Sequence, residues 1–175
     1  AYGSDPAAPT ASYVAEKMNL IGNPYNAVLT LTRKDFFRKF LKKNGFNVPL
    51  SKSFSDRYKA KNWLKKLKLP VFIKPVDSSG SKGITQIKSY HQFASAFNHA
   101  LAFSRKKKVI VEEKIYRKGY QVAGDGFVIN GNLVFHCWAN EHFNKNINGI
   151  VPIGESFPSI QNKSLLLRAV SETQR

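Results

Sequence analysis

The sequence predicts an α+β chain of two lobes, and three observations carry that expectation. Helical segments with one apolar face are interleaved with short aliphatic runs. Most of those runs are joined by hairpin-type turns. The 175 residues, 42% hydrophobic and 13% aromatic, are enough to pack one domain or two small lobes around a core and to exclude wholesale disorder.

The elements follow in order. The opening "DPAAPTASYVAEKMNLIGNP" reads as a loop, then a short helix begun at Thr10 after Pro9, then a break from Gly22 to Pro24. "TRKDFFRKFLKKNG" is the clearest helix: Thr32 is placed to cap it, Asp35 stands three residues on as in a capping box, and Gly45 fits a stop. Its spacing puts Phe36, Phe37, Phe40 and Leu41 on an inward face and Arg38, Lys39, Lys42 and Lys43 on a solvated back. "FNVPLS" reads as a short strand, and "SDRYKAKNWLKKLK" as a second amphipathic helix with Trp63, Leu64 and Leu67 inward.

"PVFIKP" is a strand, "VDSSGSKG" a loop and "ITQIK" a returning strand. "SYHQFASAFNHALAFS" follows as a helix with Phe93, Phe97 and Leu101 at helical spacing, and "KKVIVEEKI" as a strand that turns abruptly acidic. "YQVAGDGFVINGNLVFHCWAN" is two strands joined at Asn130 and Gly131, a strong hairpin signal. "NGIVPIGESFPS" gives strand then turn, and "IQNKSLLLRAVSETQR" a closing helix.

Charge narrows the function. The chain has 28 Lys and Arg against 11 Asp and Glu, a net +17, and fourteen of the cations fall within residues 33–74. Such a field attracts nucleic acid, anionic lipid or polyphosphate ligands. A single cysteine, Cys137, cannot form an internal disulfide, and the four His show no ligand spacing, so no metal site is expected from Cys and His. No apolar run reaches the length of a membrane span and no signal-peptide order opens the chain, so the default location is cytoplasmic. The first residue is Ala and the one Met is Met18, which reads as a fragment of a longer chain.

The stretch "PVFIKPVDSSGSKGI" holds the chemistry. Lys74 ends an aliphatic strand, and the Ser- and Gly-rich loop after it can turn backbone N–H groups toward a common centre that takes oxyanions, with Lys82 adding charge. The loop has neither the Walker spacing nor the Gly order that opens a dinucleotide-binding helix. Strand, loop, strand instead suits a flap over phosphates. "VIVEEKI" then places Glu112 and Glu113 directly after a buried strand, where charge is costly without a partner, either a bound ligand or an ion pair with Lys114 or Arg117.

From Gly3 to Pro158 the order of "GSDPAAPTASYVAEKMNLIGNP", "TRKDFFRKFLKKNGFNVP", "PVFIKPVDSSGSKGI", "VIVEEKI" and "YQVAGDGFVINGNLVF" resembles the ATP-grasp superfamily, with the nearest look to carbamoyl-phosphate synthetase large-chain and biotin carboxylase types. The resemblance implies a two-lobed ATP-grasp fold truncated at both ends: residues 1–31 as the tail of a preceding domain, 32–114 as the helix and lid, and 115–175 as the start of the larger lobe. It implies that Lys34 and Lys74 reach ATP phosphate, that Ser78, Ser79, Gly80, Ser81, Lys82 and Gly83 form the flap, and that Glu112 accepts the adenine amino group. Glu113 and Ile115 would add main-chain contacts.

Two departures accompany it. Gln121 stands where the family often has an acidic residue for the ribose hydroxyls. The family's Mg²⁺ ligands lie on strands expected beyond the chain end, and neither Asp125 nor Glu155 sits in the matching motif. The function implied is the ATP-binding region of an ATP-dependent carboxylate-amine ligase acting through an acyl phosphate, with ATP, Mg²⁺ and a carboxylate or bicarbonate as partners, no catalytic residue assigned, and room for a homo-oligomer. The fragment alone would be inactive. A rival is a non-catalytic nucleic-acid-binding module using the face of residues 33–74 with Tyr58 and Trp63; the charge favours it, while the core-like spacing of those aromatics and the lack of a recognised motif weigh against it. An ATP-binding pseudoenzyme is the third reading.

Overall fold

The computed structural model describes residues 4–144, 146 and 148–175. They fall into two compact units, Ala1–Ile115 and Tyr116–Arg175.

In the first unit three helices, α1 (Ala8–Lys17), α2 (Tyr25–Thr32) and α3 (Lys34–Lys43), precede β1 (Ser51–Phe54), α4 (Arg57–Leu64), β2 (Val71–Pro75), β3 (Thr85–Ile87), α5 (Phe93–Ala102) and β4 (Val109–Glu113). The strands form one antiparallel sheet in the order β1-β4-β2-β3. Because strand side chains alternate, Val71, Ile73, Ile87, Val109 and Val111 share one face. They are fully buried there with Ala60 and Leu64 of α4 and Phe93, Phe97 and Ala100 of α5. The opposite face carries Phe72 and Lys74 of β2 and, in register with them, Glu112 and Ile110 of β4. Core packing on one face therefore fixes which side chains the other face presents.

The helices differ from expectation at several points. α1 begins at Ala8, with Pro9 inside its first turn. α2 was not anticipated: its sequence, "YNAVLTLT", has no clear polar stripe, and only Pro24 at its cap marks the start. Thr32 ends α2, its hydroxyl donating to the Val28 carbonyl at 2.8 Å, so it does not cap α3. No side chain caps α3, whose flanking residue is Arg33. Its one buried residue is Asp35, while Phe40 is 45% exposed, so the expected inward apolar face is only partly realised. Aromatic faces are covered by cations instead, with the Arg33 guanidinium 4.3 Å from the Phe36 ring centre. α4 is capped by Asp56, which accepts from the Lys59 N–H at 2.8 Å, and stops at Leu64; Leu67 is buried beyond its end.

In the second unit β5 (Gln121–Ile129), β6 (Asn132–Asn144) and β7 (Asn148–Ser156) form an antiparallel sheet in chain order, followed by α6 (Lys163–Gln174). Asn130 and Gly131 have φ of 49° and 78°, the left-handed pair a two-residue hairpin turn requires. The Gln174 side chain closes on this turn, donating to the Gly131 carbonyl and accepting from the Leu133 N–H, both at 2.8 Å. Asn162 caps α6 by accepting from Leu165 N–H. Buried Asn140 is satisfied by Ser156, Ser159 and the Ile160 N–H. Among the described residues no helix is long and apolar enough to cross a membrane.

Candidate functional site

Lys34 is tied to the strand-loop junction at both of its ends. Its backbone N–H donates to the Val76 carbonyl at 2.9 Å, and its ammonium to the Ser78 carbonyl at 2.5 Å. Burial pushes its pKa below the usual lysine value; the nearby Lys74 ammonium pushes the same way, and Asp77 and Glu112 only partly offset them. A second negative charge beside Lys34 would relieve that penalty.

The loop that meets Lys34 has the conformation the sequence suggested. Gly80, Ser81 and Gly83 have φ of 61°, 57° and 74°. The Lys82 and Ile84 N–H groups close turns on Ser79 and Ser81, whereas among the described residues the Ser79, Gly80 and Ser81 N–H groups have no protein acceptor. Asp77 anchors the loop from behind, accepting from the Ser104 hydroxyl at 2.6 Å and the Lys106 N–H at 2.8 Å. Lys34, Ser78, Ser79 and Gly80 line a cleft of about 900 Å³ together with Tyr13 and Tyr25.

On the sheet face beside this junction, Lys74 and Glu112 pair across β2 and β4, Nζ to Oε1 at 2.7 Å. Arg38 of α3 meets the other oxygen, Nε to Oε2 at 2.7 Å, with a longer contact from its terminal nitrogen to Oε1 at 3.4 Å. Burial pushes the Glu112 carboxyl up, and Arg38 and Lys74 together outweigh that, holding its pKa below the ordinary carboxylate value. Asp35 behaves alike: burial raises it, and the paired bonds from Arg33 with one from Lys108 bring it below its usual value.

The structure thus brings Lys34, Lys74, Glu112 and the loop of residues 78–83 into one unit, with Lys34 and Ser78 to Gly80 facing the cleft and the Lys74–Glu112 pair on the sheet. The partners of Glu112 are Lys74 and Arg38, not Lys114 or Arg117. Glu113 closes the end of β4, where its carboxylate accepts from the Leu50 N–H and its own N–H donates to the Leu50 carbonyl. Ile115 is 62% exposed. Gln121 belongs to the second unit, where its amide donates to the Glu141 carboxylate. Among the described residues no three His, Cys, Asp or Glu side chains gather to hold a metal ion.

Arg38 is the residue sequence reasoning misplaced, reading it as part of a solvated back. The missed signal is its spacing: four residues after Lys34, it shares a helix face with a residue already assigned to the site.

Residues 40–136 match the family model described as "D-ala D-ala ligase C-terminus". A D-alanine–D-alanine ligase of Corynebacterium jeikeium is 33% identical over 99 residues, 55% of this chain and 26% of that protein. The crystal structure of VanG D-Ala:D-Ser ligase from Enterococcus faecalis superposes with a TM-score of 0.76 at 22% identity, over 99% of this chain and 53% of that one. The biotin carboxylase domain dimer of the Hydrogenobacter thermophilus 2-oxoglutarate carboxylase, solved with MgADP, ADP and bicarbonate, superposes at 0.74 with 19% identity, over 99% and 40%. The chain therefore spans about a quarter to a half of the length of these relatives.

Proposed function

The chain belongs to the D-ala D-ala ligase C-terminus family of ATP-grasp domains, and from that premise we propose that it forms the nucleotide-binding part of an ATP-dependent ligase. The observation that carries this reading is the junction of Lys34 with the flap. A half-buried ammonium, held at the Ser78 carbonyl and depressed in pKa, stands beside backbone N–H groups that have no protein acceptor among the described residues. Phosphoryl transfer asks a protein mainly to position and neutralise phosphate oxygens, and these groups supply a cation and free amide donors for it. Lys34 and Lys74 neutralise the triphosphate tail, the Ser79 to Ser81 amides cradle it, and the Glu112 region receives the adenine amino group.

In the full reaction a carboxylate oxygen of the acceptor attacks the γ-phosphorus and ADP leaves with the bridging oxygen. An amine then attacks the acyl carbon of the acyl phosphate and inorganic phosphate leaves. A flap closed over the site keeps water from competing for that intermediate. Mg²⁺ accompanies the nucleotide in this chemistry, and the described residues gather no carboxylate set for it.

Calorimetric titration with Mg-ATP and Mg-GTP tests the reading. Binding of Mg-ATP in clear preference to Mg-GTP is expected, and equal or absent binding of both would refute it.

A further inference from the structure

We propose that Arg38 is a positioning residue of the nucleotide site: it holds Glu112 so that Lys74 can turn from that carboxylate onto a phosphate. The inference rests on the nucleotide-binding reading and adds to it the group that makes the lysine available.

Glu112 is shared by two cations from different elements. Its side chain is only 5% exposed, and Lys74 from β2 and Arg38 from α3 each approach one of its oxygens at 2.7 Å. Lys74 is thus occupied as the structure stands, its ammonium on Oε1 and 4.9 Å from the Phe72 ring centre. If Lys74 were the only partner, moving it to a phosphate would abandon an ionised carboxylate in a buried position, and that cost would oppose nucleotide binding.

Arg38 removes the cost. Its guanidinium reaches both oxygens of Glu112, so the carboxylate keeps a fixed counter-ion when Lys74 leaves. The arginine cannot follow the lysine, because its helix is fastened elsewhere: Lys34 bonds to the Val76 carbonyl, and Asp35 is clamped by Arg33 and Lys108. The division of labour matches the chemistry of the two cations, a planar fork that grips a carboxylate and a flexible point charge that can change partners.

The test compares Arg38→Ala and Arg38→Lys with the wild type, following binding of Mg-ATP and of adenosine between pH 5 and 8, with thermal melting to verify folding. The charged groups facing Glu112 are Arg38 from α3 and Lys74 from β2, with Lys34 nearby. Arg38→Ala is expected to weaken Mg-ATP at pH 8 at least tenfold more than it weakens adenosine, since adenosine loses only the hold on Glu112 while the triphosphate also loses Lys74. Losing Arg38 raises the Glu112 pKa, so acidification protonates that carboxylate and frees Lys74. The ratio of variant to wild-type Mg-ATP affinity should therefore recover as pH falls. Arg38→Lys, which keeps the charge without the fork, should restore only part of the affinity.

An Arg38→Ala protein that binds Mg-ATP normally, or that loses Mg-ATP and adenosine equally at every pH, overturns the proposal while leaving the nucleotide site standing. A wild type that binds no Mg-ATP overturns both.

Discussion

The Lys34 ammonium lies 2.5 Å from the Ser78 carbonyl oxygen, joining the first residue of α3 to the glycine-rich loop 44 residues later. The contact places a cation beside loop N–H groups that have no protein acceptor among the described residues, and it leaves that cation short of negative charge. Burial first, then Lys74, keeps the Lys34 pKa depressed, so the protonated form costs stability at neutral pH and the cost is relieved as pH rises through its folded pKa. A phosphate arriving beside Lys34 raises that pKa. Mg-ATP binding at a pH between the free and bound values should therefore take up protons, and Lys34→Met should abolish the uptake. Calorimetry in buffers of different ionisation enthalpy measures it; proton release, or uptake unchanged in the variant, would remove Lys34 from the phosphate site.

The two flap glycines should differ in what they tolerate. A Cβ at Gly83 would stand 2.7 Å from the Cβ of Phe103 at a φ of 74°, so Gly83→Ala combines backbone strain with overpacking. A loss of about 2–3 kcal/mol is expected. Gly80 has a φ of 61° with open space around the added carbon, and Gly80→Ala should cost only about 1 kcal/mol. Urea unfolding of the two variants gives the comparison, and equal losses would mean that packing on Phe103 does not constrain the flap.

What the sequence disclosed follows from how local each signal was. The Asn130–Gly131 turn, the strand ending in Lys74 and the strand ending in two glutamates were legible because alternation and turn chemistry act over a few residues. Long-range pairing was not: nothing local places Arg38 against Glu112, 74 residues away, or Lys108 against Asp35, 73 away. Those contacts changed the reading of α3 in part: apolar spacing suggested a buried aromatic face, whereas Phe36, Phe37 and Leu41 are half-buried and the one buried residue is an aspartate neutralised by two cations. The predicted capping box failed for the same reason: its acceptor, Asp35, is drawn to Arg33 and Lys108, and its donor residue, Thr32, ends the preceding helix.

Asp35 and Glu112 should both make the first unit sensitive to acid. Both have folded pKa values below their ordinary ones, so each contributes stability that is present above the unfolded pKa and lost as pH falls through the folded value. Asp35→Asn should destabilise by about 2 kcal/mol at pH 7, the scale of hydrogen bonds to a charged group. The gap from wild type should narrow once pH drops below the ordinary carboxylate range, with Glu112 leaving a residual slope in the variant. Thermal melts from pH 7 to 2 follow both; a gap that stays constant with pH would show that the carboxylate charge is not what stabilises this corner.

In the proposed nucleotide site Glu112 stands between the phosphate end and the base end, and paired variants can read each end. Lys74→Ala should weaken Mg-ATP by at least tenfold, about 1.4 kcal/mol, because a charge opposite the triphosphate is gone. Lys66→Ala should change it less than twofold, since Lys66 lies in the turn after α4 and meets no carboxylate among the described residues. Glu112→Ala leaves two cations, 17% and 25% exposed, without their shared anion, and a destabilisation of about 3 kcal/mol is expected, the lower end for a broken buried pair because both keep some contact with water. The folded fraction should also lose preference for ATP over GTP, because the proposed acceptor for the adenine amino group would be absent. Titrations of both nucleotides into the three variants separate the roles, and an ATP preference that survives in Glu112→Ala would move the base site away from this carboxylate.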